Sequence, residues 1–344
     1  MLPQARAAVI GAMESWANPS SPHADGRRAR AAFEEGRRSI AEALGWRHDV
    51  IFTSGASEAV QIVAARAKAE KWIVGPTEHD VVTAAMGSTA TVLRVHSNGL
   101  IDLADLGRQL SFRPALVAVQ LANNETGVLQ PVAEIQQMVR DAGSLLLADC
   151  AQAAGKIALP EADFIAISGH KFGGPPGIGA LLVRDLAALE PSGGQERGYR
   201  RGTENWPSVA GMAAALETRA FADAIPRLAS LRRFLEHEIV AAGGIVIAAD
   251  APRIPTIGAY AMPGVASASQ LVQLDLAGIS VSAGSACSSG SMKPSRVLAA
   301  LGVPPDIAGS VIRVSFGPST SQVDIEHFHA EWCKIASRAK AAAA

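Results

Sequence analysis

Cysteine is scarce in this chain, which has three cysteines among 344 residues. Cys150, Cys287 and Cys333 stand far apart and form no CxxC pair, whereas zinc and iron–sulfur sites built by one chain use clustered thiols. We therefore expect no metal site. So few cysteines also favour a protein of the reducing cytoplasm over one held together by disulfides.

The chain also has no large excess of basic or of acidic residues. The chain has 31 basic and 32 acidic residues, so no overall field attracts nucleic acid or an anionic membrane. No run of apolar residues reaches the length needed to cross a bilayer, and the N-terminal segment has no signal-peptide core. We predict a cytoplasmic protein that recognises its partners locally, with neither nucleic acid nor membrane among them.

Short apolar runs alternate with helix-like segments through the first two thirds of the chain. The runs lie at 50–54, 71–75, 90–95, 115–122, 144–149, 163–168 and 179–184. Near-continuous apolar strands separated by helices indicate a mainly parallel sheet covered on both faces. We predict an α/β fold in which a large domain, residues 1–225, holds a mainly parallel seven-stranded sheet covered by helices.

The pattern changes near Pro226, where a long charged helix begins. The apolar runs GIVIA, TIGAYAM, ISVSAG and VIRVSFG follow, with helices among them and at the end. Residues 226–344 are therefore predicted to form a smaller α+β C-terminal domain. This domain carries SVSAGSACSSGS, in which small and polar residues around Cys287 favour a mobile, solvent-reached loop over a core position.

In open α/β sheets, ligands bind at the carboxyl ends of the strands, and three of these ends carry candidate residues. After VIFTS, the turn GAS begins a helix and places Ser57 and nearby backbone amides where a phosphate could bind; an ordinary serine cap has the same pattern. Asp149 ends the run SLLLAD, where a buried acid needs a cationic or protonated partner. A helix cap is the alternative interpretation of Asp149.

A third strand end holds a lysine. The run DFIAIS leads into GHKFGGPPG, which places Ser168, His170 and Lys171 before a turn rich in glycine and proline. A lysine in a partly desolvated pocket can lose its proton and attack a carbonyl, as a Schiff base requires, although an ordinary loop lysine is the alternative. A phosphate cradle, an acid for a pyridinium nitrogen and such a lysine are together what pyridoxal phosphate requires.

Five segments together resemble a known family. They are ANPSSPH, NNETG, SGHKFGGPPGIGALLV, GGQERGYRRGTEN and GSACSSGS. In this order, and over nearly the whole chain, they resemble the cysteine desulfurases of the NifS/IscS type, which belong to the class V aminotransferase group of fold type I pyridoxal phosphate enzymes. The resemblance implies a homodimer that converts L-cysteine to L-alanine and passes sulfur to iron–sulfur scaffold or other acceptor proteins.

The same resemblance implies roles around the cofactor ring. Lys171 would form the Schiff base and later move the Cα proton of the substrate. Asp149 would keep the pyridine nitrogen protonated, and Gln152 would bond to the ring hydroxyl. His79 would stack on the ring and assist proton transfer.

Other residues would bind the cofactor phosphate, the substrate and the sulfur. The resemblance implies that the phosphate is held by Ser57, Ser168, His170 and, from the second subunit, Thr203. Asn124 would lie near the substrate and the ring oxygen, and Arg313 would clamp the substrate carboxylate, which a planar guanidinium suits. The Cys287 thiolate would attack the substrate sulfur and carry it as a persulfide.

The chain departs from the family pattern in two places. It begins near the match to Pro3, without the short opening strand that relatives carry, and Pro176 stands where relatives often have lysine. The alternatives are a selenocysteine lyase or related class V lyase, and a truncated, non-catalytic homologue that acts as a binding partner.

Four other features are expected to carry no chemistry. Cys150 adjoins an apolar strand and is expected in the core, and nothing in the sequence activates Cys333 on the last helix. His327 and His329 are two residues apart on a helix, which makes a poor metal pair. The arginine-rich stretch 24–43 is expected to form an exposed amphipathic helix.

Overall fold

The computed structural model describes residues 1–110, 114–284 and 294–343. The chain divides into two compact units. The first comprises 1–93, 103–121 and 131–223, and the second comprises 94–102, 122–130 and 224–344. The division into folding domains at residues 225 and 226 stays a prediction.

The first unit is built on a seven-stranded sheet. Its strands are β1 (Asp49–Thr53), β2 (Lys71–Val74), β3 (Thr91–Val92), β4 (Ala115–Gln120), β5 (Leu145–Asp149), β6 (Phe164–Ser168) and β7 (Gly179–Val183). Its helices are α1 (Pro3–Glu14), α2 (Ala24–Ala43), α3 (Ala56–Arg66), α4 (Asp80–Met86), α5 (Leu103–Leu110), α6 (Val132–Asp141) and α7 (Trp206–Glu217). Each of the seven apolar runs overlaps one strand.

The strand order in this sheet is β1-β7-β6-β5-β4-β2-β3. All pairs are parallel except those of β7, which is antiparallel to β1 and β6. Every residue of β4, β6 and β7 is buried, as expected of strands covered on both faces. The predicted mainly parallel seven-stranded sheet is confirmed.

The topology brings the loops after β1 and β6 to one edge of the sheet. Both strands pair with β7, and Gly179 is level with Thr53 on one side and Ser168 on the other. A Cβ on Gly179 would lie 2.4 Å from the carbonyl oxygen of Ile167 and 2.6 Å from Cα of Gly55. Only glycine permits this close approach, which sets the start of α3 beside the end of β6.

The second unit has its own sheet and core. It contains most of α8 (Ala220–Ala241), followed by β8 (Ile245–Val246), β9 (Ile257–Ala261), α9 (Ser267–Leu276), β10 (Ser282–Ala283), α10 (Arg296–Ala300), α11 (Pro305–Ala308), β11 (Val311–Ser315) and α12 (Gln322–Ala343). The sheet is antiparallel with the order β10-β11-β9-β8. Leu228, Leu235, Tyr260, Ile312 and Trp332 belong to its apolar core. The predicted smaller α+β part is confirmed.

Helix α2 differs from its expected exposure at Arg37. This side chain is buried, with its guanidinium 5.0 Å from the ring centre of Phe33 and 4.7 Å from that of Phe52. Its Nη1 and Nη2 donate to the two carboxylate oxygens of Glu196 at 2.8 and 2.9 Å. The prediction of an exposed helix is wrong at this position, because a two-point ion pair with a buried carboxylate allows the charge to leave water.

Over the described ranges, no helix is long and apolar enough to cross a bilayer. Within the same residues, no three histidine, cysteine, aspartate or glutamate side chains are grouped so that they could hold a metal ion.

Candidate active site

The strand ends of the first unit bring together an acid, a histidine and a lysine. Asp149 ends β5, His79 precedes α4, and Lys171 lies in the 3-10 helix Gly169–Phe172 after β6. Burial raises the pKa of Asp149, while the Ala151 amide and the charges of His79 and Lys171 oppose that rise. The three predicted residues therefore lie within electrostatic reach of one another.

Backbone contacts orient two of these side chains. The carboxylate of Asp149 accepts a hydrogen bond from the Ala151 N–H at 2.8 Å. His79 caps α4, because its Nδ1 accepts from the Val81 N–H at 3.2 Å. An accepting Nδ1 leaves the proton of the neutral ring on Nε2. The histidine thus has a defined tautomer and a fixed ring position.

Candidate phosphate ligands gather at the start of α3. Among the described residues, no side chain caps this helix, and Ser57 in its first turn is exposed. Ser168 Oγ lies 3.0 Å from His170 Nδ1, and a Cβ on Gly55 would lie 3.5 Å from the same oxygen. Uncapped amides, the positive end of the helix dipole and two side-chain donors suit a phosphate group.

Lys156 is a buried cation that the sequence analysis missed. It follows β5, and its ammonium lies 5.4 Å from the ring centre of Phe221. Burial and the charge of Lys171 lower its pKa to about 7. Burial, Lys171 and Lys156 also lower the pKa of His170. The apolar neighbours in AQAAGKIAL were the only sequence signal, and they do not distinguish a buried lysine from a surface one.

Gln152 and Thr203 lie in loops of the first unit. Gln152 is partly exposed in the turn that follows Asp149. Thr203 is exposed, and Arg200 in the same loop pairs with Glu58 in the first turn of α3 at 3.0 Å. This ion pair brings the loop close to Ser57. The role of Thr203 in a second subunit stays a prediction.

In the second unit, the two predicted substrate residues are in contact. Arg313 on β11 donates from Nη1 to the carbonyl oxygen of Asn124 at 3.0 Å. The turn around Asn124 is closed by Asn123, whose Oδ1 accepts from the N–H groups of Glu125 and Thr126 at 2.9 and 2.7 Å. The guanidinium and the NNETG turn therefore form one local cluster.

Cys287 lies outside the described residues. The described chain on its N-terminal side pairs with β11, where Ser282 is level with Arg313. On its C-terminal side, Ser295 Oγ donates to Glu125 Oε2 at 2.5 Å. Both flanks are therefore attached next to the cluster of Arg313 and Asn124.

The other two cysteines differ from each other. Cys150 is fully buried, as predicted, and burial with the charge of Asp149 raises its pKa well above the ordinary value. Cys333 Sγ lies 3.3 Å from His329 Nε2, and His329 Nδ1 lies 3.9 Å from Glu238 Oε2. Cys333 therefore has a histidine neighbour at the i,i+4 spacing. The expectation that it carries no chemistry stays a prediction.

Comparison with curated proteins finds relatives that span most of the chain. A cysteine desulfurase IscS from Dictyoglomus turgidum is 34% identical over 338 residues, covering 91% of this chain and 86% of that protein. A cysteine desulfurase from Nostoc sp. is 36% identical over 354 residues, covering 95% of this chain and 87% of that protein.

Solved structures and the family profile agree with these relatives. The NifS-like protein from Rickettsia africae superposes with a TM-score of 0.89 at 29% identity, over 98% of this chain and 96% of that one. The profile of the aminotransferase class-V family matches residues 4–328. The chain therefore belongs to the aminotransferase class-V family.

Proposed function

We propose that this protein is a pyridoxal phosphate-dependent cysteine desulfurase that converts L-cysteine to L-alanine and carries the sulfur on Cys287. The observation that carries the proposal is the gathering of Asp149, His79 and Lys171 at strand ends beside an uncapped helix N-terminus. Relatives named cysteine desulfurase support it, as does a structural neighbour, SspA in complex with cysteine, which is 26% identical with a TM-score of 0.76.

The residues present fit pyridoxal phosphate. The start of α3, with Ser57, Ser168 and His170 around it, supplies phosphate donors. Asp149 supplies a buried acid for the pyridine nitrogen, and Lys171 supplies a primary amine. Bound pyridoxal phosphate would supply an electrophilic carbon and an electron-withdrawing ring that stabilises negative charge on Cα of the substrate.

The side chains of the first unit would then handle protons around the ring. Lys171 would take the Cα proton, as its neutral amine can. Asp149 would favour a protonated ring nitrogen by its negative charge. Gln152 would bond to the ring hydroxyl, and His79 would lie against the ring with its Nε2 proton available.

The second unit would bind the substrate and take the sulfur. Arg313 pairs with the substrate carboxylate through its planar fork, and Asn124 lies beside it. The Cys287 thiolate attacks the sulfur of cysteine. A sulfur–sulfur bond forms while the Cβ–sulfur bond breaks, and the carbon that is released gains a proton to become the methyl group of alanine.

Partners and location complete the proposal. The persulfide on Cys287 passes its outer sulfur to iron–sulfur scaffold or other acceptor proteins by attack of an acceptor thiolate. The protein acts as a homodimer in the cytoplasm, and Thr203 reaches the phosphate of the opposite subunit.

Alanine release tests this function. The purified protein is incubated with pyridoxal phosphate, L-cysteine and a thiol reductant, and alanine is measured against time. Cys287→Ala should reduce turnover about 100-fold or more while cofactor absorbance is retained, because the sulfur acceptor is lost. Cys150→Ala, which removes a buried thiol, is the matched control and should retain turnover.

Three outcomes would contradict the proposal. Full turnover of Cys287→Ala with reductant would refute the persulfide role. Protein that stays colourless with pyridoxal phosphate would favour a non-catalytic binding partner. Faster turnover on selenocysteine or cysteine sulfinate than on cysteine would identify a related class V lyase instead.

A further inference from the structure

The loop between β2 and α4 is held in place by Gln120, the last residue of β4. Gln120 Nε2 donates to Thr77 Oγ1 at 3.1 Å and also to the Thr77 carbonyl oxygen. The backbone N–H of Gln120 donates to Glu78 Oε1 at 2.7 Å. Thr77, Glu78 and Gln120 are all buried. These bonds fix the backbone immediately before His79.

The second carboxyl oxygen of Glu78 is in a different situation. Glu78 Oε2 is buried and has no hydrogen-bond partner among the described residues. Glu78 as a whole is 3% exposed. An ionised carboxylate is costly to bury when one of its oxygens has no hydrogen-bond partner, whereas the protonated acid carries no charge to desolvate. The geometry alone therefore favours the acid form.

The surrounding charges act in the same direction. Asp149 on β5 is the register partner of Gln120 on β4. Because the Gln120 N–H also binds Glu78, the carboxyl groups of Glu78 and Asp149 both lie at this end of the sheet. Burial and the charge of Asp149 raise the pKa of Glu78 well above its ordinary value, and the Gln120 N–H opposes them. His79, next in the chain, and Lys171, after β6, both act on Asp149.

We propose that Glu78 is a positioning residue that works as a neutral carboxylic acid, holding His79 in place through Gln120 and leaving Asp149 as the single carboxylate of the pocket. The inference rests on the proposed function, because it assigns Glu78 to the site that would take the cofactor ring. A second carboxylate there would change the charge that acts on the ring nitrogen. Glutamine has the same shape without the charge, so the conservative variant distinguishes charge from support.

The first test uses the protein without added cofactor. Unfolding by urea is measured for wild type and Glu78→Gln from pH 5 to pH 8.5. The folded protein keeps a proton that the unfolded chain releases near pH 4.5, so wild type should lose stability relative to Glu78→Gln as the pH rises, by up to about tenfold in the unfolding constant per pH unit. A difference that is constant over this range would overturn the proposal.

The second test uses pyridoxal phosphate binding and the pH titration of its absorbance. Glu78→Gln should bind with a dissociation constant within about threefold of wild type and with the same titration midpoint. Glu78→Ala leaves the buried Gln120 N–H without its acceptor and removes the bond nearest His79 while the Gln120–Thr77 bonds remain, so binding should weaken about tenfold. Gln136→Ala removes an equally buried amide on α6, which holds no candidate residue, and serves as the control.

The outcomes of the two tests separate the two proposals. A midpoint displaced by about one pH unit in Glu78→Gln, or binding as weak as in Glu78→Ala, would show that the charge of Glu78 is used and would overturn the inference. If wild type acquires no cofactor absorbance, the proposed function fails, while the urea experiment still decides whether Glu78 is protonated. If Glu78→Ala does not fold, Glu78→Gln decides alone.

Discussion

The side-chain amines of Lys156 and Lys171 lie within electrostatic reach of each other in the first unit. A buried lysine normally pairs with an acid, but the contact found for Lys156 within the described residues is with the face of Phe221. Holding this group out of water costs stability at the pH values where it is charged.

The pH dependence of stability tests the burial of Lys156. Its pKa of about 7 in the fold lies below the ordinary value of 10.5, so between these values the unfolded chain binds a proton that the folded chain does not. Stability due to this group therefore rises with pH above 7. Lys156→Met should stabilise the cofactor-free protein most below pH 7, and the gain should shrink by up to about 1.4 kcal/mol per pH unit above it.

Urea unfolding at pH 6, 8 and 9.5 gives the comparison. Lys68→Met, at an exposed lysine paired with Glu190, is the matched control and should show no such trend. A gain for Lys156→Met that stays the same at all three values would contradict the burial argument.

The candidate residues that could be identified from the sequence are those that stand next to a recognisable secondary-structure element. Asp149, Ser168 and Lys171 lie at or just after the ends of apolar runs, so strand position and side-chain chemistry were enough to single them out as candidates. Glu78 and Lys156 could not be found in this way. Their burial depends on side chains of other elements, such as Gln120 and Phe221, which are distant in the chain.

At the scale of elements, the loop at 193–205 shows how a helix can support a site. Glu196 and Arg197 have φ of 48° and 57°, a backbone conformation that is unfavourable for non-glycine residues. The Glu196 carboxylate accepts from the Phe52 N–H at 2.7 Å and from both ends of the Arg37 guanidinium. These hydrogen bonds from β1 and α2 stabilise the strained turn at Glu196 and Arg197. They therefore also fix the position of Arg200 in the same loop.

Mutation of this ion pair tests the support. Arg37→Ala leaves the buried carboxylate of Glu196 unpaired, so it should lower the free energy of unfolding by about 3–5 kcal/mol. Arg38→Ala on the same helix removes an exposed arginine that pairs with Glu35, and it should change stability by less than about 0.5 kcal/mol. Urea denaturation of both variants decides the point; equal effects would refute a supporting role for Arg37.

At the scale of the whole molecule, the order of apolar runs predicted the sheet but not everything attached to it. Strands β3, β8 and β10 have two residues each and are shorter than the apolar runs that contain them. The runs overestimate strand length because apolar residues indicate burial and not how many residues pair in the sheet. Residues 94–102 and 122–130 pack with the second unit through bonds such as Leu129 N–H to the Pro252 carbonyl at 2.8 Å. Contacts over such chain distances leave no periodic trace in the sequence.

The assembly gives a further prediction. If Thr203 completes the phosphate site of the other subunit, a Thr203→Val subunit paired with a Lys171→Ala subunit contains one site in which both residues are intact. Mixed dimers should therefore recover about half of wild-type turnover, although each variant alone is impaired. Gel filtration should give a dimer; a monomer that binds the cofactor, or mixed dimers without recovery, would contradict this arrangement.

Sulfur transfer to Cys287 is the central claim, and its most direct measurement is the position of the sulfur after one turnover. The cofactor-loaded protein is mixed with L-cysteine without reductant, alkylated, digested and analysed by mass spectrometry. The account predicts one additional sulfur atom on the Cys287 peptide, with the Cys150 and Cys333 peptides unchanged. Alanine release with no added sulfur on Cys287, or with the sulfur on either other cysteine, would contradict it.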